Sequence, residues 1–322
     1  MLAASLLVAI AMPASPRGDG SAQALTLADQ ALQAGEPDRA LVQLSSLPQG
    51  GAGSAKAQNL ACRIHYTLQQ WDTAVQECSR AVSLDSQNWS YHMWLGRALG
   101  KKAANASFLS AFSVAKQTRA EFESAVRLDP KSPAALSDLG DFYRAAPGIV
   151  GGGLDKATQI ANQLQPLDQR RALQLQGLIA ENQSDYATAE QKLKQSVQAT
   201  AHPAWQWTTL AGFYGRRKRW TDMDAAVHSA ETEALKDKDA SVALYDGAGV
   251  LIDNKKDSAL AAKLLQEYLS TPYKTEEAPV CEAHVRLAKL KKQMGDAAGA
   301  QYEISAALAL AHDYKPALEF KH

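Results

Sequence analysis

The glycine-rich stretch FYRAAPGIVGGGLDKA, residues 142–157, is where this sequence comes nearest to a phosphate-binding loop. Such a loop reads G-x-x-x-x-G-K-[ST], in which the lysine reaches the β- and γ-phosphates and the hydroxyl binds Mg²⁺. Gly148 and Gly153 have the required spacing. However, Leu154 and Asp155 follow, where the motif needs lysine and a hydroxyl. A carboxylate there repels phosphate, so we do not predict a nucleotide site.

Catalytic patterns are missing from the rest of the chain. The sequence contains no H-E-x-x-H, no G-x-S-x-G, and no paired carboxylates beside an aromatic cleft. Its seven histidines are scattered, mostly on helix faces where a hydrogen-bonded imidazole is the ordinary case. We therefore expect no enzyme activity, no cofactor and no metal site.

The bulk composition is that of a folded chain. Of 322 residues, 46% are hydrophobic and 21% are charged, and the formal net charge is zero. A neutral chain has no overall attraction for nucleic acid or for an anionic membrane surface. We therefore expect no nucleic-acid partner.

The N-terminal segment predicts export. Residues 2–12 form an apolar run of 11 residues, which is shorter than the roughly 20 that span a bilayer as a helix. The small-x-small sequence Ala22-Gln23-Ala24 follows, which is the pattern that signal peptidase accepts. We interpret residues 1–24 as a signal peptide cleaved after Ala24, and we place the mature chain in the periplasm or outside the cell, with no integral membrane span.

A pattern of about 34 residues recurs along the mature chain. It reads W-x2-L-G-x2-Y, then A-x3-F, then proline, and each copy predicts two antiparallel helices with small residues where they cross. The clearest copies of the first half are Trp207, Leu210, Ala211 and Tyr214, and Leu136, Leu139, Gly140 and Tyr143. One hairpin cannot bury its own apolar face, so such units are stable only when stacked.

These residues make the chain similar to tetratricopeptide-repeat (TPR) proteins over residues 25–322. The resemblance implies an all-α, right-handed superhelical solenoid of about eight helical hairpins. The block from LGRALGKKA to AAPGIVGGGLDKA also resembles a group of exported bacterial TPR proteins.

Two units depart from the standard length. Ten or so additional residues predict an enlarged third unit at about 88–130, in which the hairpin is longer. In the next unit, the small-residue position at Ala157 comes about five residues late, which predicts an expanded glycine-rich turn at about 144–154. The glycines of the opening motif therefore belong to a turn inside one repeat.

The first helix of each unit in such an array lines the inner, concave surface. The repeat register places there nine residues that we take as candidate binding residues: Lys56, Asn59, Arg63, Tyr66, Arg97, Lys101, Arg144, Trp205 and Arg216. The early half of this surface is basic, whereas the seventh unit contributes Asp246 and Asp253.

Cys62 and Cys78 fall on the two helices of one predicted hairpin. Three interpretations remain open: buried thiols, a disulfide that closes a loop of about 16 residues, or a zinc site completed by His65 and His92. Cys281 has no obvious mate.

The function that the resemblance implies is a non-enzymatic protein-interaction scaffold. We expect its basic groove to bind an acidic segment of a partner protein. The predicted protrusion at Phe108 and Phe112 is a candidate surface for a homodimer. The alternative is a small-ligand protein, for a glycan or a lipid headgroup, or an enzyme accessory.

Overall fold

The computed structural model describes residues 19–47, 53–272 and 274–320, and these form helices and turns without a strand. The helices are α1 Asp19–Gln33, α2 Pro37–Ser45, α3 Ala55–Thr67, α4 Trp71–Leu84, α5 Trp89–Ala104, α6 Phe108–Leu128, α7 Pro133–Ala145, α8 Leu154–Leu164, α9 Gln169–Asn182, α10 Tyr186–Gln198, α11 Ala204–Arg216, α12 Trp220–Lys236, α13 Val242–Asp253, α14 Ser258–Ser270, α15 Val280–Gln293, α16 Ala297–Leu310 and α17 Lys315–Leu318. Short 3₁₀ turns lie at Gly148–Val150 and Lys238–Ala240.

Consecutive helices pair as eight antiparallel hairpins, from α1–α2 to α15–α16, which confirms the predicted architecture. Many helices begin where the sequence supplies an N-cap. The Ser132 hydroxyl accepts a hydrogen bond from the Ala135 amide before α7, and Asp168 does the same for Arg171 before α9. These side chains satisfy backbone donors that the first helical turn leaves unpaired.

Small residues let the helices approach closely, as the repeat pattern requires. A Cβ atom on Gly140 of α7 would lie 2.5 Å from Leu175 Cδ2 of α9. Ala74 and Ala211 have no exposed surface. The helices therefore pack closely at these small residues, and a larger residue at Gly140 would separate α7 from α9, the first helix of the next hairpin.

The third hairpin is the longest, because α5 has 16 residues and α6 has 21. In the fourth hairpin, α7 ends at Ala145 and α8 begins only at Leu154. Gly151 has a φ of +93°, a conformation that glycine adopts without strain. A Cβ on Gly152 would lie 1.8 Å from the Ala146 carbonyl oxygen. The turn is therefore a tightly folded backbone connection inside one hairpin.

The two ends of the array pack against each other. One hydrophobic core contains residues of α1–α3, such as Ala28 and Ile64, together with residues of α15–α17, such as Ile304 and Ala317. A Cβ on Gly35, in the α1–α2 turn, would lie 2.3 Å from Val280 Cγ2 at the start of α15. The solenoid is thus closed on itself, which the sequence did not predict.

Polar contacts reinforce this closure. The Gln69 amide donates to Tyr314 Oη at 2.9 Å and to a Glu282 carboxylate oxygen at 3.1 Å. The Gln70 amide donates to Asp313 at 2.9 Å. Asp38 accepts from the backbone N–H of His312 at 2.9 Å.

The predicted signal peptide lies mainly outside the described residues, which begin at 19. The predicted cleavage site after Ala24 falls within α1, where Ala24 and Leu25 are buried in the core shared by the two ends. None of the described helices combines the length and the hydrophobicity needed to span a bilayer.

Candidate functional site: the central cavity

The first helices of five hairpins surround a cavity of about 880 Å³. Its wall is formed by α5, α7, α9, α11 and α13, together with the end of α8, the 3₁₀ turn before α13 and the loop between α14 and α15. The charged and aromatic residues that line it are Arg97, Asp138, Asp141, Arg170, Arg171, Trp205, Asp239, Asp246 and Glu277. The volume is in the range of ordinary ligand sites, roughly 300–1,000 Å³.

The loop between α14 and α15 brings carboxylates to the predicted basic face. Glu276 accepts hydrogen bonds from the Arg63 guanidinium, with Nε at 2.6 Å, and Asp29 accepts from Arg63 Nη1 at 2.9 Å. Glu277 accepts from Arg97 Nη1 at 2.8 Å. Two arginines expected to bind a partner are thus already paired within this chain.

Arg97 also contacts residues of its own helix, α5, and of the next inner helix, α7. Its Nε donates to Asp138 Oδ2 at 2.6 Å, and its guanidinium lies 4.8 Å from the centre of the Trp94 ring. Burial raises the pKa of Asp138, and Arg97 opposes that rise. Arg170 and Arg171 are paired with Asp168, at 3.0 and 3.2 Å.

The loop between α14 and α15 carries Glu276 and Glu277, and we call it the acidic loop. Lys274 anchors the start of this loop. Its buried ammonium donates to the Tyr268 carbonyl at 2.6 Å and to the Thr271 carbonyl, so it neutralises the C-terminal end of α14. Burial lowers the pKa of Lys274 to about 8. At the far end of the loop, the Tyr268 hydroxyl donates to the Ala278 carbonyl.

Asp246 of α13 stands apart from these ion pairs. Within the described residues, its carboxylate has neither a hydrogen bond nor an ion pair. Burial raises the pKa of Asp246 to about 6, while Arg286 lowers it and Glu277 raises it further. The Arg286 guanidinium is itself directed to Glu282 and stacks on Tyr245.

Two buried oxygen atoms in the cavity wall also have no partner among the described residues. They are Gln206 Oε1 on α11 and Thr275 Oγ1 in the acidic loop. The Gln206 side chain is only 3% exposed. Trp205, the neighbour of Gln206, lines the cavity and packs against the main hydrophobic core.

The other predicted binding residues have varied surroundings. Lys56 and Lys101 are exposed. Asn59 is buried, and its Nδ2 has no partner in the described structure. Tyr66 packs edge-on against Trp71 and Trp94, with ring centres 5.4 and 5.6 Å apart.

Two of the predicted arginines lie on later inner helices. Arg144 is paired with Asp141 at 3.3 Å and donates to Asn182 Oδ1 at 3.2 Å. Arg216 makes a bidentate ion pair with Glu181, in which both N–O distances are 2.8 Å. Of the nine predicted residues, Arg97 and Trp205 line the cavity.

Sequence reasoning missed Gln206, Thr275 and Glu277. Gln206 lies beside a predicted residue, so its position on the inner helix could have been found from the repeat register. The two loop residues lie outside the repeat pattern and carried no such signal.

The cysteine pair and its neighbouring histidines have defined partners. Cys62 and Cys78 form a disulfide with their Sγ atoms 1.97 Å apart, and Cys281 is a buried thiol. His65 hydrogen-bonds Glu77, and His92 hydrogen-bonds Glu121, each at 2.6 Å. The residues of the zinc interpretation are thus all engaged with other groups.

One cluster in the described part of the chain has ligand atoms close enough to bind a metal ion: Asp38, His312 and Asp313. Two of the three are exposed, and Asp38 already pairs with the His312 ring at 2.8 Å across the closure. Their evident role is to join the two ends of the array.

Comparison with known proteins supports the fold. No protein-family model and no curated protein matches the chain. A solved structure, the TPR protein TTC0263 of Thermus thermophilus, is 15% identical; the match covers 60% of this chain and 98% of that one, with a TM-score of 0.50.

Two further solved structures are similar. A tetratricopeptide repeat protein from Parabacteroides merdae is 12% identical, over 85% of this chain and all of its own, with a TM-score of 0.46. MamA from Desulfovibrio magneticus is 17% identical, over 57% of this chain and 97% of its own, with a TM-score of 0.45. The eight stacked hairpins and the likeness to TTC0263 show the fold of a TPR solenoid, as the sequence pattern predicted.

Proposed function

We propose that the protein is a non-enzymatic interaction scaffold that holds a segment of a partner protein in the central cavity. The supporting observation is the cavity itself, which is walled by the inner helices and lined by charged groups, Trp205 and unpartnered polar atoms. Arrays of helical hairpins present such concave surfaces for extended contacts. The fold alone does not determine the role, so the proposal depends on the cavity.

Export is part of this proposal. We place the working protein in the periplasm or outside the cell, after cleavage behind Ala24. The disulfide between Cys62 and Cys78 supports this location, because disulfides persist in oxidising compartments. N-terminal sequencing of the protein from a periplasmic fraction tests it: a start at Leu25 is expected, and an intact Met1 in the cytosol would contradict it.

The binding of an acidic partner segment in the basic groove stays a prediction, and ion pairs within this chain oppose it. Such a segment would have to displace Glu276 and Glu277 from Arg63 and Arg97, or else contact the exposed Lys56 and Lys101. If it binds there, charge reversal by Lys56→Glu with Lys101→Glu weakens partner capture. Unchanged capture by that double variant would rule out this route.

The homodimer also stays a prediction. The side chain of Phe108 lies outside the described residues, and Phe112 is half-buried on α6. Sedimentation velocity of the wild type at rising concentration tests it, with Phe112→Ser as the variant expected to remain monomeric.

The cavity can be tested directly by crosslinking. A photoreactive amino acid replaces Trp205 inside the cavity or, as a control, Val42, which is 62% exposed on α2. We expect partner adducts from position 205 but not from position 42, and we expect fewer adducts from position 205 when Leu178→Trp, on the α9 wall, narrows the cavity. Adducts that are equal at the two positions would overturn the proposal.

A small-ligand protein is the second candidate, favoured by the cavity volume of about 880 Å³, which lies in the range of ordinary ligand sites. Titration with glycans and with phospholipid headgroups, followed by tryptophan fluorescence, separates the candidates. A response that Trp205→Phe abolishes, without any partner protein, would favour a small ligand.

A further inference from the structure

The charged groups of the cavity wall that have no ion-pair partner among the described residues are negative. Five carboxylates and three arginines line the cavity. The three arginines are already bonded, Arg97 to Asp138 and Glu277, and the other two to Asp168. Among the described groups in this wall, the carboxylates left without an ion pair or a side-chain hydrogen bond are Asp239 and Asp246.

The unpartnered polar atoms of the wall are also suited to a cation. Gln206 Oε1 is an acceptor and the Thr275 hydroxyl can act as one, and both are buried without a hydrogen bond within the described chain. A buried acceptor without a partner is destabilising, and an N–H donor that enters the cavity would satisfy both atoms. Trp205 adds an aromatic ring, whose face attracts ammonium and guanidinium groups.

We propose that Asp246, Gln206, Thr275 and Trp205 form a subsite for an organic cation, an ammonium or a guanidinium group. The group would donate hydrogen bonds to the carboxylate and to the two oxygen atoms, with the indole beside it. This inference rests on the proposed function and specifies its partner chemistry: the side chain that enters the cavity is lysine or arginine. A free amine is the other source of the same chemistry.

An anion does not fit this part of the wall. The Asp246 and Asp239 carboxylates would repel it, and each lining arginine would first have to leave a carboxylate. The cavity volume of about 880 Å³ is also far larger than one ammonium group. A segment that carries a long cationic side chain fills this space better than a small amine does.

Three probes test the proposal with the full chain. They are the peptides acetyl-Ala-Lys-Ala-amide and acetyl-Ala-Glu-Ala-amide and the free amine butylamine, each titrated by isothermal calorimetry. We expect the lysine peptide to bind and the glutamate peptide not to bind. Butylamine binding as tightly as the lysine peptide would assign the site to a free amine, and weaker butylamine binding would assign it to a peptide.

Asp246→Asn is the decisive variant, and we expect it to weaken lysine-peptide binding at least tenfold. Asp253→Asn is the matched control, because Asp253 is exposed on the same helix and does not line the cavity. It should bind as the wild type does. Circular dichroism melting of both variants verifies that they are folded.

Equal binding of the two peptides, or wild-type affinity in Asp246→Asn, would overturn the cation subsite. The crosslinking experiment at position 205 distinguishes this failure from a failure of the scaffold. If cavity adducts persist while Asp246→Asn has no effect, the scaffold stands and the subsite does not. If the adducts are also absent, both proposals fail.

Discussion

Burial disfavours the charged form of the Asp246 carboxylate. Its pKa is raised to about 6 from an ordinary value of 3.8, so at neutral pH it carries a charge that costs free energy in the folded state. Residues that reduce stability in this way are typical of binding sites, where activity and stability compete.

We therefore predict that Asp246→Asn increases stability at pH 7 by about 1–3 kcal/mol. Between pH 3.8 and about 6 the folded state binds more protons at this site than the unfolded chain. The wild-type free energy of unfolding thus loses this contribution as pH rises through that window, whereas the variant does not. Urea denaturation at pH 4 and pH 7 measures the difference, and an Asp246→Asn protein less stable than the wild type at pH 7 would contradict it.

The disulfide is the second residue-scale feature with a measurable effect. Cys62 and Cys78 are 16 residues apart in sequence and fully buried. The chain-entropy model assigns about 3 kcal/mol to such a crosslink. We predict that dithiothreitol lowers the midpoint of thermal unfolding of the wild type. The Cys62→Ala, Cys78→Ala double variant should already melt lower and should not respond to the reductant.

The repeat register placed Arg97 and Trp205 on inner helices, because helical spacing is local information. It did not reveal their partners. Glu276 lies 213 residues from Arg63, and Glu277 lies 180 residues from Arg97. Pairing across such distances depends on how far the array curves, which no single motif encodes.

At the scale of elements, the glycine-rich connection between α7 and α8 shows which features of a turn can be predicted from its amino-acid composition. The excess of glycine indicated an expanded turn. It did not indicate which glycines are indispensable, since this depends on where the neighbouring backbone lies. Gly152 contacts the Ala146 carbonyl, whereas a Cβ on Gly148 would meet nothing within 4 Å.

We predict that Gly152→Ala destabilises the protein by about 1–3 kcal/mol, because the methyl group forces the backbone of the turn apart. Gly148→Ala is the matched control and should change the free energy of unfolding by less than about 0.5 kcal/mol. Chemical denaturation of the two variants in parallel provides the measurement. Equal effects would show that the close approach at Gly152 is not a constraint.

At the scale of the whole molecule, the principal finding is the closure of the array. The sequence predicted eight hairpins correctly, because each carries its own signature. It did not predict that the eighth packs on the first. Closure depends on the small rotation between successive hairpins, which accumulates over the array.

Gly35 offers a test of closure. It has a φ of +78° and contacts Val280 across the closure, whereas Gly295 has a φ of +84° and would meet nothing within 4 Å. Both alanine variants incur the strain of a left-handed residue, so their difference isolates the contact. We predict that Gly35→Ala increases hydrogen exchange across the closure, in α15, whereas Gly295→Ala leaves exchange across the closure, in α1–α3, unchanged. Equal exchange in the two variants would count against a tight closure.

An array whose first and last hairpins cover each other has a fixed number of units. An open array of repeats can gain or lose a copy at a modest cost, since each unit contacts only its neighbours. Here, one duplicated or deleted hairpin would move the two ends of the core out of register and expose both apolar faces. Such a protein can diversify through the side chains on its inner wall, but not by a gradual change in length.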